Sequence, residues 1–315
     1  MPDPPWIERK QAVVIVNPTA RKLPHKKALR EARDWLDQRG WASEWLTTAA
    51  PGDATSLTAD AARRGVPLLF VCGGDGTLNE AVNGLAGSET ALAVIPAGTV
   101  NLWAREVGLL AKPVEAVRRA VDGERRRIDL GRVGARHFLL MAGFGLDATV
   151  AHGVSHRIKG RLGAAAYAIS AVREALRYRP SPVTLSLDGR QRTLELLMLI
   201  VGNTRKYAGL TEITPAAVVD DGRLDVCAYS GRGRRDILWL ALLTLIRQQR
   251  RSPKVFAARV RKLRITGGAK LSVQLDGDAI EERPADVTVA PGALWVAVPA
   301  ALKSPLFSQP PDEGE

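Results

Sequence analysis

The residues best suited to chemistry are glycines. The run Leu68-Leu69-Phe70-Val71-Cys72-Gly73-Gly74-Asp75-Gly76-Thr77-Leu78-Asn79-Glu80 carries a buried-strand pattern straight into three glycines and then a helix. With no Cβ at Gly73, Gly74 or Gly76, backbone N–H groups can close on a phosphate, and a helix N-terminus adds partial positive charge. Asp75 on its own would repel that phosphate. A divalent cation bridging carboxylate and phosphate oxygens removes the conflict, and a plain tight turn with an Asp cap is the alternative. A second turn, Val94-Ile95-Pro96-Ala97-Gly98-Thr99-Val100-Asn101-Leu102-Trp103-Ala104-Arg105-Glu106, follows the next apolar strand. There Asn101 can hydrogen-bond, and Arg105 can fork onto phosphate oxygens. Two such turns at the carboxyl ends of parallel strands lie side by side, on the edge where open α/β sheets bind ligands. No Walker A sequence occurs and no G-x-G-x-x-G follows the strand, which sets aside P-loop enzymes and Rossmann dehydrogenases. No G-x-S-x-G elbow supports a hydrolase. The four histidines (His25, His137, His152, His156) have no metal-ligand spacing.

A sheet must carry these turns, and the flanking sequence supplies one. Ala12-Val13-Val14-Ile15-Val16 is an apolar run of strand length closed by Asn17-Pro18. Residues 26–39 have helical spacing, with Leu29, Ala32, Trp35 and Leu36 on one face. Residues 44–46 fit a second strand, 53–64 a helix capped by Asp53, 68–72 a third strand, 77–85 a helix and 91–95 a fourth strand. This alternation predicts a parallel sheet covered by helices on both faces. Past residue 130 strand candidates crowd together, at 137–141, 183–188, 193–201, 224–229, 262–266, 271–275, 286–290 and 294–298. Helices are expected there only at 161–178 and 236–250, and the domain boundary near 125–129, where a basic run meets the next strand.

The chain has 315 residues, 46% of them hydrophobic, enough apolar surface to exclude disorder for its bulk and to fill about two domains. Only the ends, 1–6 and 304–315, read as loose tails. With 45 Lys+Arg against 33 Asp+Glu the net charge is +12, which calls for an anionic partner. Nucleic acid is not expected, because the basic residues are scattered and no zinc-finger or RNP pattern is present. Cys72 and Cys227 sit in apolar runs and read as buried thiols of a reducing compartment. No signal-peptide pattern opens the chain, and the apolar stretch 237–246 is half the ~20 residues a bilayer needs, so a cytoplasmic location is expected. Helix 236–250 is apolar nearly all round and flanked by Arg232, Arg234 and Arg235 and by Arg247, Arg250 and Arg251. It is either buried core or an interfacial helix with Trp239 among lipid headgroups. Helix 161–178, preceded by His156, Arg157 and Lys159, is the other candidate for membrane contact.

Taken together, Asn17-Pro18, Gly73-Gly74-Asp75-Gly76-Thr77-Leu78-Asn79-Glu80 and Gly98-Thr99-Val100-Asn101 resemble the diacylglycerol kinase catalytic domain, a family that includes bacterial lipid kinases and the sphingosine and ceramide kinases. The resemblance continues in order through Gly143-Phe144-Gly145-Leu146-Asp147, Gly202-Asn203, Pro215, Asp220-Asp221-Gly222-Arg223-Leu224-Asp225-Val226 and Leu275-Asp276-Gly277-Asp278. It implies an α/β nucleotide domain with a parallel sheet (1–130, rejoined by 300–315) and an antiparallel β-sandwich domain for the lipid (131–299). ATP and Mg²⁺ would occupy the cleft between them. By similarity the nucleotide meets Asn17, Thr48, Gly73, Gly74, Asp75, Gly76, Thr77, Leu78, Asn79, Gly98 and Thr99, with Thr48 placed by its spacing from Gly52-Asp53. Asp75 then sits by the catalytic Mg²⁺ or the acceptor hydroxyl, Asp129 supports the metal site, and Arg105 matches a basic active-site position. Asp278 stands at the proton acceptor. A structural Mg²⁺ is implied on the Asp221 side chain with the carbonyls of Val218 and Arg223, although read alone Asp220-Asp221-Gly222 is an ordinary turn. Asp147 matches, loosely, a lipid-headgroup contact of the sphingosine enzymes.

The implied reaction is in-line transfer of the ATP γ-phosphoryl group to a lipid hydroxyl. The implied partners are ATP and a lipid substrate at an anionic membrane, with the protein peripheral to its inner face; a homodimer stays open. Two positions depart from the family. Asp278 stands where a Glu is usual, and neither Glu281 nor Glu282 aligns to replace it; Leu102 stands where many members carry Asp. Two alternatives follow: an NAD kinase-like enzyme acting on a soluble substrate, which shares the Gly-Gly-Asp-Gly turn, and a lipid-binding protein with weak or lost catalysis.

Overall fold

The computed structural model describes residues 9–153, 177–207, 211–246, 248–267, 271–280 and 286–300, with 302, 304–308 and 310. The expected helix 161–178 lies outside the described residues except for its last two positions. So do the tail 1–6, His156, Arg157, Lys159, Arg247, Glu281 and Glu282. The chain divides into two compact units, one of Met1–Leu130, Val218–Gly222 and Ala290–Glu315, the other of Gly131–Ala217 and Arg223–Val289.

In the first unit β1 (Gln11–Val16), β2 (Ala42–Thr47), β3 (Leu68–Gly73) and β4 (Ala91–Pro96) pair in parallel in the order β2-β1-β3-β4. The end of β17 (Asp286–Val298) adds a fifth parallel strand, with Trp295 opposite Ala91 and Val296 opposite Leu92. All six residues of β3 are buried, which is why its sequence is a continuous apolar run instead of an alternation. α1 (Lys26–Gln38), α2 (Asp53–Arg63) and α3 (Asp75–Leu85) connect the strands as the alternation predicts. The core joins Val14, Phe70, Cys72 and Ile95 to Leu36 of α1 and to Ala116, Val117 and Ala120. The last three belong to α5 (Pro113–Val121), which with the short α4 (Leu102–Glu106) was not expected from the sequence.

The basic run near the boundary has a structural use. It opens β5 (Glu124–Val133), where Arg125 and Arg127 stack on the Trp295 ring at 3.8 and 5.4 Å and Arg126 lies 4.8 Å from the Phe307 ring. These guanidinium groups fasten the C-terminal segment to the first unit through cation–π contacts.

The second unit is an antiparallel β structure. β9 (Arg190–Gly202) is its spine, pairing through its first half with β8 (Ser181–Leu187) and through its second half with β7 (Met141–Gly145) on one edge and β12 (Leu224–Ser230) on the other. β5 enters the unit in a hairpin with β6 (Arg136–Phe138). β14 (Lys262–Gly267) extends the sheet from β8, β13 (Val255–Val260) from β12, and β15 (Val273–Leu275) from β7, with β16 (Asp278–Ile280) beyond β15. β10 (Lys206–Tyr207) and β11 (Thr211–Glu212) form a separate small ladder. α6 (Leu146–Gly153) follows β7, and α7 (Arg234–Leu245) follows β12 and leads into a 3₁₀ turn at Gln249–Arg251. A second core holds Phe138, Phe144, Leu199, Val226, Leu263 and Leu275. The strands expected at 286–290 and 294–298 are one strand, β17, while β13 and β16 were not expected. Cys72 and Cys227 are buried free thiols whose pKa values burial pushes up to about 12 and about 11, which keeps them protonated and inert.

α2 and α3 pack tightly enough to constrain one glycine. A Cβ at Gly84 would lie 2.0 Å from Thr58 Oγ1 and 2.3 Å from the Thr55 carbonyl oxygen. Alanine normally gains about 0.5–1 kcal/mol over glycine inside a helix, but here the clash includes backbone as well as the Thr58 hydroxyl. Gly84→Ala is therefore expected to destabilise the fold by about 2 kcal/mol, read as a lower urea midpoint at unchanged m value.

Candidate active site

Strand register brings the expected nucleotide residues to one edge. Thr47 of β2 lies opposite Val16 of β1, Val16 opposite Cys72 of β3, and Cys72 opposite Ile95 of β4. The next residues, Thr48, Asn17, Gly73 and Pro96, therefore start their loops at a common level, at the carboxyl edge of the sheet. Backbone bonds hold them there: the N–H of Thr48 donates to Val16 O at 3.0 Å, that of Asn17 to Cys72 O at 2.9 Å, and that of Ala97 to Gly73 O at 2.9 Å. Thr48 is buried, and its loop is fixed by Asp53, whose carboxylate accepts the N–H groups of Ala49 and Ala50 at 2.7 and 2.9 Å. Those two bonds hold the Asp53 carboxyl below the usual carboxylate range. This is the physical content of the Gly52-Asp53 spacing, with Gly52 taking a φ of +91° that a side chain resists.

The two glycine turns touch. A Cβ on Gly98 would come within 2.6 Å of Gly74 Cα and 2.8 Å of Asn101 Oδ1, and a Cβ on Gly73 within 2.7 Å of Thr77 Cβ. Only hydrogen fits at these contacts, so the backbones of the two loops approach as closely as backbones can. Asn17 Nδ2 donates to Thr77 Oγ1 at 2.8 Å, tying the β1 turn to the first turn of α3. Asn101 sits at φ +53°, accepts from Gly98 N at 2.8 Å through Oδ1 and donates from Nδ2 to Gly98 O at 2.8 Å. It closes the second turn on itself.

Asp75 opens α3, yet its Oδ1 accepts from Leu102 N at 2.7 Å, at the N-terminus of α4. The carboxylate does cap a helix, and the helix belongs to the other turn. Burial pushes the Asp75 carboxyl above its ordinary range, while the amides of Leu102, Asn101 and Trp103 pull it back. Leu78 and Asn79 are buried, so Leu78 offers the loop its backbone alone; Gly98 is buried and Thr99 exposed at the tip of its turn. Gly76 is half-buried. Arg105 is exposed and its Nε donates to Val100 O at 2.7 Å, within the second turn.

Asp129 is buried, and backbone amides occupy both its oxygens: Gly222 N at 2.6 Å and Gly292 N at 2.7 Å. Burial raises its pKa and those two bonds oppose the rise. Its own N–H donates to Val219 O at 2.6 Å, so it holds the acidic loop from two sides. Asp220 is also turned inward, accepting from Ser308 N at 2.8 Å and from Ser308 Oγ at 2.8 Å. Asp221 is the half-exposed carboxylate of the loop. One carboxylate with backbone carbonyls is an all-oxygen donor set, which fits a hard cation such as Mg²⁺ that keeps several waters. Among the described residues no group of three or more His, Cys, Asp or Glu gathers as a metal cluster. Val218 and Asp221 belong to the first unit, and Arg223 opens a segment of the second.

In the second unit Asp278 is half-buried at the start of β16, opposite Leu275 in a two-residue hairpin. The hairpin residues Asp276 and Gly277 have φ of +50° and +93°, the backbone an Asp-Gly turn favours. The Asp276 carboxylate accepts from Leu139, Leu140 and Met141 N at 2.8, 2.9 and 2.8 Å, which pins the turn. Gln274 was missed by sequence reasoning. Its Oε1 accepts from Gly277 N at 2.5 Å and its Nε2 donates to Asp147 Oδ2 at 2.7 Å. Asp147, matched by resemblance to a headgroup contact, is half-buried and bonded through both oxygens: Tyr207 OH donates to its other oxygen, and burial raises its pKa. A Cβ on Gly143 would lie 1.7 Å from its Oδ2, so Gly143 is there to make room.

The model of the diacylglycerol kinase catalytic domain matches residues 11–133, and that of the YegS C-terminal NAD kinase beta sandwich-like domain matches 141–298. A diacylglycerol kinase of Bacillus subtilis (strain 168) is 29% identical over 272 residues, 85% of this chain and 90% of its own. Another, of Staphylococcus carnosus (strain TM300), is 28% identical over 298 residues, 94% of this chain and 97% of its own. A solved structure from Bacillus anthracis str. Sterne, provisionally described as a diacylglycerol kinase, is similar with a TM-score of 0.79 at 26% identity, covering 93% of this chain and 96% of that one.

Because the Gly98 clash is with backbone, it has no flexible atom to displace. Gly98→Ala is expected to lower stability by about 2 kcal/mol, measured by urea denaturation.

Proposed function

The chain belongs to the diacylglycerol kinase family, and we propose that it is an ATP- and Mg²⁺-dependent lipid kinase that phosphorylates the hydroxyl of diacylglycerol or a similar lipid. The observation that carries this reading is the contact of Gly74 with Gly98, which sets two glycine turns together at the carboxyl edge of a parallel sheet. Phosphoryl transfer needs positioning and charge neutralisation more than covalent chemistry.

Each residue then has a task. The loop of Gly73, Gly74, Asp75, Gly76, Thr77, Leu78 and Asn79 receives the nucleotide phosphates, with Asn17, Thr48, Gly98 and Thr99 along the same edge. Asp75 presents a carboxylate held in place by the start of α4. Arg105 supplies positive charge from the rim of the second turn. Mg²⁺, when bound, neutralises charge on the transferring group, and Asp75 is the residue placed to hold it. Asp129 acts one step back, by fixing the loop on which Asp221, with the Val218 and Arg223 carbonyls, would hold a structural Mg²⁺. Asp278 takes the proton of the lipid hydroxyl as general base. A lipid acceptor in an anionic bilayer places the enzyme at the inner, cytoplasmic face of the membrane.

Radiolabelled phosphate transfer from ATP to total lipid extract tests the proposal, with NAD as a parallel acceptor; labelling of NAD and of no lipid would overturn it. Asp75→Asn is expected to cut turnover by about 100-fold or more. It should leave stability within about 1 kcal/mol of wild type, because the amide oxygen can still accept from Leu102. The sign follows from linkage. A carboxyl raised above its unfolded value stabilises the fold below that value and loses this contribution as pH rises through the folded pKa, so at pH 7 the Asp75 charge is a net cost that Asn removes. Asp278→Asn is expected to lower the rate by about 100-fold or more, whereas Asp278→Glu keeps it within about tenfold of wild type. Chelation with EDTA should abolish transfer, and added Mg²⁺ restore it.

A further inference from the structure

α7 is apolar nearly all round, and the fold gives its faces different surroundings. Ile237, Leu240 and Leu243 are buried, whereas Leu238 (59%), Trp239 (53%), Leu242 (49%) and the following Ile246 (49%) stand exposed. Six large hydrophobic side chains are exposed among the described residues, and these four share one stripe at helical spacing. Single exposed leucines need no explanation; a cluster marks a surface for a partner. The charge around the stripe has one sign. From Arg232 to Lys254 the sequence holds seven basic residues and a single acid, Asp236. Arg232, Arg234 and Arg235 are exposed at one end of the stripe and Arg250 and Arg251 beyond the other. Asp236 does not offset them, since its carboxylate accepts Arg232 N at 2.8 Å and pairs with Lys254.

We infer that this stripe is the surface by which the protein seats on an anionic lipid bilayer. Leu238, Leu242 and Ile246 enter the acyl boundary, Trp239 lies at headgroup level, and the arginines at both ends meet lipid phosphates. The contact is peripheral, because no helix among the described residues is long and apolar enough to cross a membrane. It rests on the lipid-kinase reading only for the reason a bilayer must be met; the surface itself comes from burial and charge. A second copy fits this face poorly. Both ends of the stripe are basic, so a two-fold pairing sets arginines against arginines whether the helices run parallel or antiparallel. Nucleic acid would leave the apolar side chains facing a phosphate backbone.

Flotation of the full chain with vesicles of phosphatidylcholine containing about one-third phosphatidylglycerol, against phosphatidylcholine alone, tests the inference. Wild type is expected to float at least about tenfold more with the anionic vesicles, and less as salt rises. Leu238→Gln with Leu242→Gln should cut vesicle partition by about 100-fold. Arg234→Glu with Arg235→Glu should remove the anionic preference, and a vesicle-induced blue shift of tryptophan emission should vanish in Trp239→Phe. Circular dichroism checks each fold, and the Trp239 readout stands even if one double variant fails to fold. Unchanged partition in folded variants overturns the proposal, as does a leucine variant that turns a dimer into a monomer without altering vesicle binding. Phosphoryl transfer to a short-chain, water-soluble diacylglycerol separates the two readings. Leucine variants that keep transfer and lose vesicles support this surface, whereas a wild type that floats but phosphorylates no lipid retains the surface and removes the kinase assignment.

Discussion

The contact of Gly74 with Gly98 is the constraint on which the rest of the candidate site depends. Two loops can share one small volume only if neither carries a side chain there, and a Cβ on either glycine would press on the backbone of the other. Once the backbones meet, the start of α4 falls within reach of Asp75, and Asp75 becomes the staple between the turns. The close approach and the carboxylate are thus one device. The glycines make the geometry available, and the charged hydrogen bond at 2.7 Å keeps it from relaxing.

The same economy recurs. Asp53, Asp129, Asp220 and Asp276 each accept two or more hydrogen bonds from chain elsewhere, most of them from backbone N–H groups. Each therefore acts as a clamp on a loop that has no regular ladder to hold it. The two that are buried, Asp129 and Asp220, tolerate such positions because hydrogen-bond donors of the chain stand in for water. An acidic residue beside a turn in this chain is thus as much a structural fastener as a candidate ligand. Asp75 is placed to be both, and Asp221 is the half-exposed member of its loop.

Much of the architecture was legible in the sequence. The continuous apolar runs of β1, β3 and β4 identify buried parallel strands, and the glycine turns after β3 and β4 mark the carboxyl edge of the sheet, because both signals are local. What escaped reading was non-local or ambiguous in period. That Asp75 caps a helix starting 27 residues later is a tertiary fact. α5 is short and carries Arg118 and Arg119 amid its buried alanines and valines. β16 has only three residues, and its Asp-Gly turn was read as chemistry before it was read as a hairpin. Gln274 lies on a strand where nothing local distinguishes a linking amide from an ordinary polar residue. α7 could not be assigned a face because its sequence is apolar on every side; only burial separates Ile237 and Leu240 from Leu238 and Leu242.

One outer parallel strand of the first unit comes from residues near 295, and Asp129 grips the amides of Gly222 and Gly292. Order of synthesis is consequently not order of completion. While the ribosome is still adding the second unit, β4 presents a bare hydrogen-bonding edge and Asp129 awaits the amides of Gly222 and Gly292, an arrangement open to pairing with the wrong strand. A nascent chain of this kind must wait for residues 290–298 before its first unit is whole.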